Sequence, residues 1–229
     1  MELISNNTGN WEIYRMINSE TSEAFIVRLP KMNLGGTRTK SYINNYQIIK
    51  NIGLPTLKTV EEFDFENRKG IKTEDLNYQK ELIYITHNSL YSDSKKVVDT
   101  LLSQNFIKIA KNKKSPEYEE FRYRNKLKEI TNFEKFIIAV KNDLSIATEK
   151  DVLIEFDSYF FGTRKDADVS CLNYKIVDLD NIYTNTGKTR QELLVDNISE
   201  FKRAIKGFVK YFVNVNNQSE YEKYLDKMF

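Results

Sequence analysis

The sequence is poor in the residues that most often announce a mechanism: 229 residues contain one cysteine, Cys171, and one histidine, His87. A lone cysteine excludes a disulfide framework within the chain and any zinc cluster built on thiolate pairs, and it fits a reducing compartment. A lone histidine excludes histidine-rich metal centres. Any Ser-His-Asp or Cys-His mechanism would depend on His87, which has no nucleophile motif beside it and reads as a surface or packing residue. A metal site would have to be built from carboxylates. Only 8 Gly and 3 Pro are present, which argues against collagen-like, linker-rich and turn-rich all-β designs. No apolar run nears the length of a membrane span, and the opening Met1–Met16 lacks the basic stretch and apolar segment of a cleaved signal. The chain therefore reads as soluble and cytoplasmic.

Charge is nearly balanced: 35 Lys and Arg less 33 Asp and Glu leave +2, too even to imply a nucleic-acid partner without a local patch. Hydrophobic residues make up 40% and include 14 Phe and 14 Tyr, ample for a packed core. The aromatics recur at helix and strand spacings, as core residues do, rather than as a base-stacking platform. Cys171 reads as a small interior residue.

The first third reads as strands with one helix. Trp11–Ile17 and Ala24–Leu29 flank the turn-like Asn18–Ser22 and predict an antiparallel hairpin. Tyr42, Ile43, Tyr46, Ile49 and Ile52 recur at steps of three and four, predicting a helix closed by Gly53 ahead of Pro55. Leu57–Phe65 and Gly70–Thr73 add two strands. The remainder reads as mainly helical. It holds an apolar stretch at Leu101, Leu102, Ile107 and Ile109, then a charged Lys108–Lys128 segment that reads as a solvated face. Phe133, Phe136, Ile137 and Val140 mark a helix. Leu194, Ile198, Phe201, Ile205, Phe208 and Phe212 mark a long amphipathic helix over Glu192–Val213, with a shorter polar helix after it. Between these helices, Val152–Phe161 and Tyr174–Val177 are β-rich runs that read as a hairpin with a long tip at Gly162–Asp166.

That hairpin carries the chemistry. Asp157 opens the Tyr159–Phe161 run and Asp178 closes the Tyr174–Val177 run, so pairing of the two brings both carboxylates to its open end. Two carboxylates with no imidazole or thiolate nearby suit a hard cation such as Mg²⁺, which in enzymes usually also binds phosphate oxygens. Aspartates also cap strand ends and turns, and Asp180 reads equally as support for the metal or as such a cap. Arg28 lies in an apolar strand and needs a phosphate or carboxylate partner. Trp11 either covers a nucleotide or packs beneath the sheet.

This arrangement resembles the metal-binding hairpin of the protein-kinase-like fold. By that resemblance Asp157 takes the place of the catalytic-loop asparagine. Asp178 takes that of the Asp-Phe-Gly aspartate, written here Asp178-Leu179-Asp180. The Trp11–Arg15 and Phe25–Arg28 strands are similar to the family's first hairpin, with Ser5–Asn10, and in it Gly9, in place of the glycine-rich loop. Arg28 stands in for the strand lysine, with Lys31 as second candidate. Gly70–Asn77 looks like the strand and hinge whose backbone, around Glu74 and Leu76, would hold an adenine ring. The Tyr42–Lys50 helix has no glutamate to pair with the strand cation; Gln47 or Asn44 would at most hydrogen-bond. No His-Arg-Asp precedes Asp157, so the catalytic base stays open among Asp157, Asp151 and Glu155, with Asp143 more distant.

The resemblance implies a bilobal α+β protein. Residues 1–75 would form a small antiparallel-sheet N-lobe, and residues 76–229 a mainly helical C-lobe with an embedded metal-site β-hairpin. Its size is similar to that of minimal kinases among bacterial effectors, which act in a host cytosol. ATP and Mg²⁺ would be its cofactors and a protein hydroxyl its acceptor. The alternative is a catalytically silent, pseudokinase-type module that binds a partner protein.

Overall fold

The structure is a computed structural model describing residues 2–5, 11–31, 37–78, 80–85, 127, 129–164 and 169–229. The expectations for Gly9, His87, the apolar stretch at 101–109 and, Leu127 apart, the charged stretch up to 127 lie outside these residues.

Strands β1 (Glu2–Ser5), β2 (Trp11–Ile17), β3 (Ala24–Pro30), β4 (Val60–Phe65) and β5 (Arg68–Glu74) form a five-stranded sheet in the order β1-β2-β3-β5-β4. Every pairing in it is antiparallel. The β2–β3 hairpin has the expected limits, and its turn is stabilised by the Asn18 side chain, which accepts from the Glu20 amide at 2.9 Å. The β4–β5 turn places Glu66 and Asn67 at φ 48° and 62°, the pair of left-handed residues that matches the twist of a two-residue hairpin. Gly70 is required in β5, because a Cβ there would lie 2.6 Å from the Arg28 carbonyl oxygen of β3. Helix α1 (Thr37–Asn51) packs Tyr42, Tyr46 and Ile49 against this sheet. It ends as expected at Gly53, whose φ of +80° lets the Leu54 amide turn back to the Ile49 carbonyl at 3.2 Å.

At Asp75 the chain leaves that sheet. The later elements are β6 (Leu82–Ile85), β7 (Glu129–Ile130), α2 (Phe133–Glu149), β8 (Val152–Ile154), β9 (Tyr159–Arg164), β10 (Val169–Ser170), β11 (Asn173–Ile176), β12 (Ile182–Thr184), α3 (Arg190–Phe212) and α4 (Val215–Met228). They build three small sheets, ordered β11-β9-β6, β12-β8 and β10-β7. The expected Val152–Phe161 run is in fact two strands broken by a 3-10 turn at Phe156–Ser158. Its polar groups bond elsewhere than in a ladder: the Phe156 amide goes to Glu200 at 3.0 Å, and the Ser158 hydroxyl to the Asp178 carbonyl at 2.8 Å. Cys171 is exposed, not interior, because the two-residue β10–β7 ladder ends at Ser170 and leaves the next residue at the surface.

Helix α3 starts two residues before its expected limit. Its capping box has the Thr189 amide donating to Glu192 at 2.9 Å and the Glu192 amide to the Thr189 hydroxyl at 3.3 Å. Leu193, rather than Leu194, faces inward, as does Asn197, which accepts from the Ile154 amide and donates to the Val152 carbonyl, anchoring β8. Phe201, Ala204, Ile205 and Phe208 are fully buried, with Phe201 5.4 Å from the Tyr159 ring and Phe208 5.2 Å from Phe161. Each of the Phe and Ile side chains contributes about 1.5–3 kcal/mol by burial. The apolar core is continuous from Trp11 and Tyr42 to Phe208 and Leu225. Among the described residues, no helix is long and apolar enough to cross a membrane.

Candidate functional site

The β9–β11 hairpin forms with Tyr159 opposite Ile176 and Asn173 opposite Gly162. Its open end is therefore flanked by Asp157, two residues before Tyr159, and Asp178, two residues after Ile176. The flanking segments are stitched together. The Val177 amide donates to the Ser158 carbonyl at 2.9 Å and the Glu155 amide to the Asn181 carbonyl at 3.1 Å, while the Ser158 hydroxyl reaches the Asp178 carbonyl. The two carboxylates are close enough to act on one another. Burial pushes the Asp178 carboxyl above its ordinary value; Arg28 opposes this, and the negative charges of Asp180 and Asp157 add to it.

Arg28 reaches the same place from the five-stranded sheet. Its guanidinium is 3.6 Å from Asp178 Oδ1, with 9% of the Arg28 side chain and 34% of the Asp178 side chain exposed. It also lies over the Tyr42 ring, 5.4 Å from the centroid. Its Nε is buried with no acceptor among the described residues. The partner demanded by a cation in an apolar strand is thus Asp178, and one donor is left over. Asp180 turns toward α1 and β2: Trp11 Nε1 donates to it, and Arg38 lies 3.6 Å away. Trp11 is buried beneath the sheet, with its ring edge-on to Tyr42. Among the described residues, no three Asp, Glu, His or Cys side chains gather closely enough to hold a metal ion. Mg²⁺ commonly takes only one or two carboxylates from protein, with waters and phosphates completing its shell.

Glu155 lies in the same turn. Burial raises its carboxyl, the charges of Glu200 and Asp157 raise it further, and Arg203 opposes them. Asp151 lies at the other end of β8. Its φ is 53° and it accepts from the Thr186 hydroxyl at 2.6 Å, a turn-bracing role away from the pair. Asp143 accepts from the Tyr174 hydroxyl at 2.6 Å. Lys31, just past β3, acts on Glu12 rather than on the carboxylate pair.

The segment after β5 is arranged differently from a hinge with free amides. Glu74 accepts from the Lys58 amide at 2.6 Å and pairs with Lys175 at 3.4 Å. Leu76 packs against the core. Asp75 Oδ1 accepts from the Asn77 and Tyr78 amides at 2.9 and 3.0 Å, while its other oxygen meets Arg15 Nε at 2.7 Å in a buried ion pair. Sequence reasoning missed Arg15 and Asp75, and also Tyr42 and Asn45 of α1, whose polar atoms bond the Val177–Ile182 backbone. The one available signal was their place: Asn45 lies three residues after Tyr42, on the buried face of α1.

No protein-family model and no curated protein matches the chain. Among solved structures it is similar to a crystallised kinase domain, at 9% identity and TM-score 0.49, over 93% of this chain and 64% of that one. It is also similar to the Helicobacter pylori proinflammatory kinase CtkA, at 11% identity and TM-score 0.42, over 99% and 91% of the two chains. A third likeness is to Cex1p, at 15% identity and TM-score 0.39, over 100% of this chain and 40% of the other. The chain thus spans less than two thirds of the first and third of these. With every TM-score below 0.5, neither activity nor ligand passes from these proteins to this one.

Proposed function

We propose that the chain is a kinase-like phosphotransferase that holds Mg–ATP between Arg28 and the pair Asp157 and Asp178 and moves the γ-phosphate to a hydroxyl, one carried by a protein. In this reading residues 1–75 form the lobe that covers the nucleotide and residues 76–229 the lobe that holds the metal. The passage of the chain out of the five-stranded sheet at Asp75, with β6 pairing to β9, supports that division. One observation carries the proposal. Arg28 meets Asp178 at the open end of a hairpin that Asp157 flanks, where burial and like charge already penalise the Asp178 anion. Burial and the neighbouring negative charges raise the Asp178 carboxyl despite Arg28, and a divalent cation at this carboxylate would offset that penalty. Mg²⁺, when bound, would draw charge from the phosphate oxygens. Glu155 and Asp157 are the candidates to receive the acceptor's proton, and Glu155 has the raised carboxyl that favours a base.

The test is label transfer from [γ-³²P]ATP to the protein itself or to lysate proteins in Mg²⁺, with Asp157→Asn and Asp178→Asn as controls. Transfer that both variants abolish supports the proposal; transfer that both retain removes it. A silent, partner-binding module is favoured by one specific observation, the capture of the Asn77 and Tyr78 amides by Asp75, which leaves fewer donors for a base. That reading expects no transfer, whether or not Mg–ATP binds.

A further inference from the structure

Helix α1 carries no aspartate or glutamate, yet it makes four polar contacts with the segment that contains Asp178. The Tyr42 hydroxyl donates to the Val177 carbonyl at 2.6 Å. Asn45 Nδ2 donates to the Leu179 carbonyl at 2.7 Å and the Ile182 carbonyl at 3.2 Å. Arg38, four residues before Tyr42, faces Asp180 at 3.6 Å. Residues 38, 42 and 45 lie on one stripe of the helix, and that stripe clasps the backbone on both sides of Asp178. Tyr42 is fully buried, and its ring also lies beneath the Arg28 guanidinium. One side chain therefore touches the cation of β3 and the carbonyl next to the carboxylate that this cation meets.

We propose that Tyr42 and Asn45 are positioning residues that hold Asp178 in register with Arg28 and Asp157, doing through backbone carbonyls what an acidic side chain on the helix would do through charge. The proposal rests on the Mg–ATP reading above. Its physical content is that an amide or hydroxyl fixing the main chain on each side of a ligand removes the ligand's freedom to turn away. The effect on affinity should match that of other groups that orient metal ligands without touching the metal. Tyr46 supplies the matched control. It lies one turn along the same helix, is 2% exposed, and donates its hydroxyl to the Lys58 carbonyl at 2.7 Å, away from Asp178.

The experiment compares wild type, Tyr42→Phe, Asn45→Ala and Tyr46→Phe by Mg–ATP titration. It also measures acrylamide quenching of Trp11, the only tryptophan of the chain, which is buried and bonded to Asp180 within the clasped region. Tyr42→Phe and Asn45→Ala should each weaken Mg–ATP binding about ten-fold and raise Trp11 quenching, with far-UV circular dichroism unchanged. Tyr46→Phe, which loses the hydroxyl bonds to the Lys58 carbonyl and Lys50, should change neither. Equal effects in all three variants would reduce the contacts to ordinary packing and overturn the proposal, as would wild-type affinity in Tyr42→Phe and Asn45→Ala. A wild type that binds no Mg–ATP overturns the functional reading itself. That outcome is distinct from a failed clasp, in which wild type and variants all bind alike.

Discussion

Replacing Asp178 by asparagine should make the ligand-free protein more stable and the ligand-bound protein less so. Burial raises the Asp178 carboxyl despite Arg28, with Asp180 and Asp157 adding to the rise. The folded state therefore prefers this group uncharged, and asparagine is its uncharged isostere. Solvent reaches the side chain, which is 34% exposed, and screens the effect, so the gain is a small rise in Tm. The pH dependence has a definite sign. A carboxyl whose folded pKa lies above its ordinary 3.8 contributes stability below that value and loses it as pH rises through the folded pKa. The wild type should therefore match the variant in acid and fall behind it toward neutrality. In saturating Mg–ATP the order reverses. Ligand at a hundredfold excess over its dissociation constant stabilises wild type by about 2.7 kcal/mol, a rise of about 5–10 °C, and Asp178→Asn should lose most of it. Differential scanning fluorimetry from pH 4 to 8, with and without Mg–ATP, reads both effects. A variant that melts below wild type without ligand and keeps the full Mg–ATP shift would refute the reasoning.

Three further substitutions test the scaffold around the site. Arg15→Met leaves Asp75 buried and without its guanidinium, and should cost about 3–5 kcal/mol in urea unfolding, far more than an exposed pair such as Lys188–Asp196 would. Gly70→Ala sets a methyl 2.6 Å from the Arg28 carbonyl oxygen, so β3 and β5 must part; a loss of about 1–3 kcal/mol is expected, and an unchanged melting curve would contradict the close approach. Thr189→Ala removes the α3 capping box and should lower stability by about 1 kcal/mol without altering Mg–ATP affinity, since the cap lies away from the carboxylate pair.

The legible parts of this protein are those whose cause is local. The β2–β3 hairpin, the end of α1 at Gly53 and the antiparallel β9–β11 pairing whose open end Asp157 and Asp178 flank all follow from apolar spacing, turn residues and backbone handedness within a few dozen residues. The start of α3 was legible too, in Thr189 and Glu192, although the apolar stripe alone places it two residues late. What did not show was how polar side chains distant in sequence divide the buried partners among them. Glu74 reads as part of an adenine-binding hinge, and its side chain also accepts from the Lys58 amide and pairs with Lys175. Asp151 reads as a base beside Asp157, but a left-handed turn directs it to Thr186. The break at Glu155 was hidden because Val152–Phe161 is β-rich throughout; only Ser158 and Glu200, bonding across to other segments, end the ladder there.

Sequence alone determined that this chain has an apolar core, a first sheet with one helix, and two aspartates at the mouth of one hairpin, because periodicity and pleat act over neighbouring residues and need no knowledge of the rest. Only the tertiary structure decided that Arg28 meets Asp178, that Asp180 is held by Trp11 from 169 residues away, and that Tyr42 and Asn45 clasp a segment some 135 residues downstream. Those contacts exist because burial leaves each polar group few partners. Which partner is within reach is set by how the sheet, helix and hairpin pack, not by any pattern along the chain.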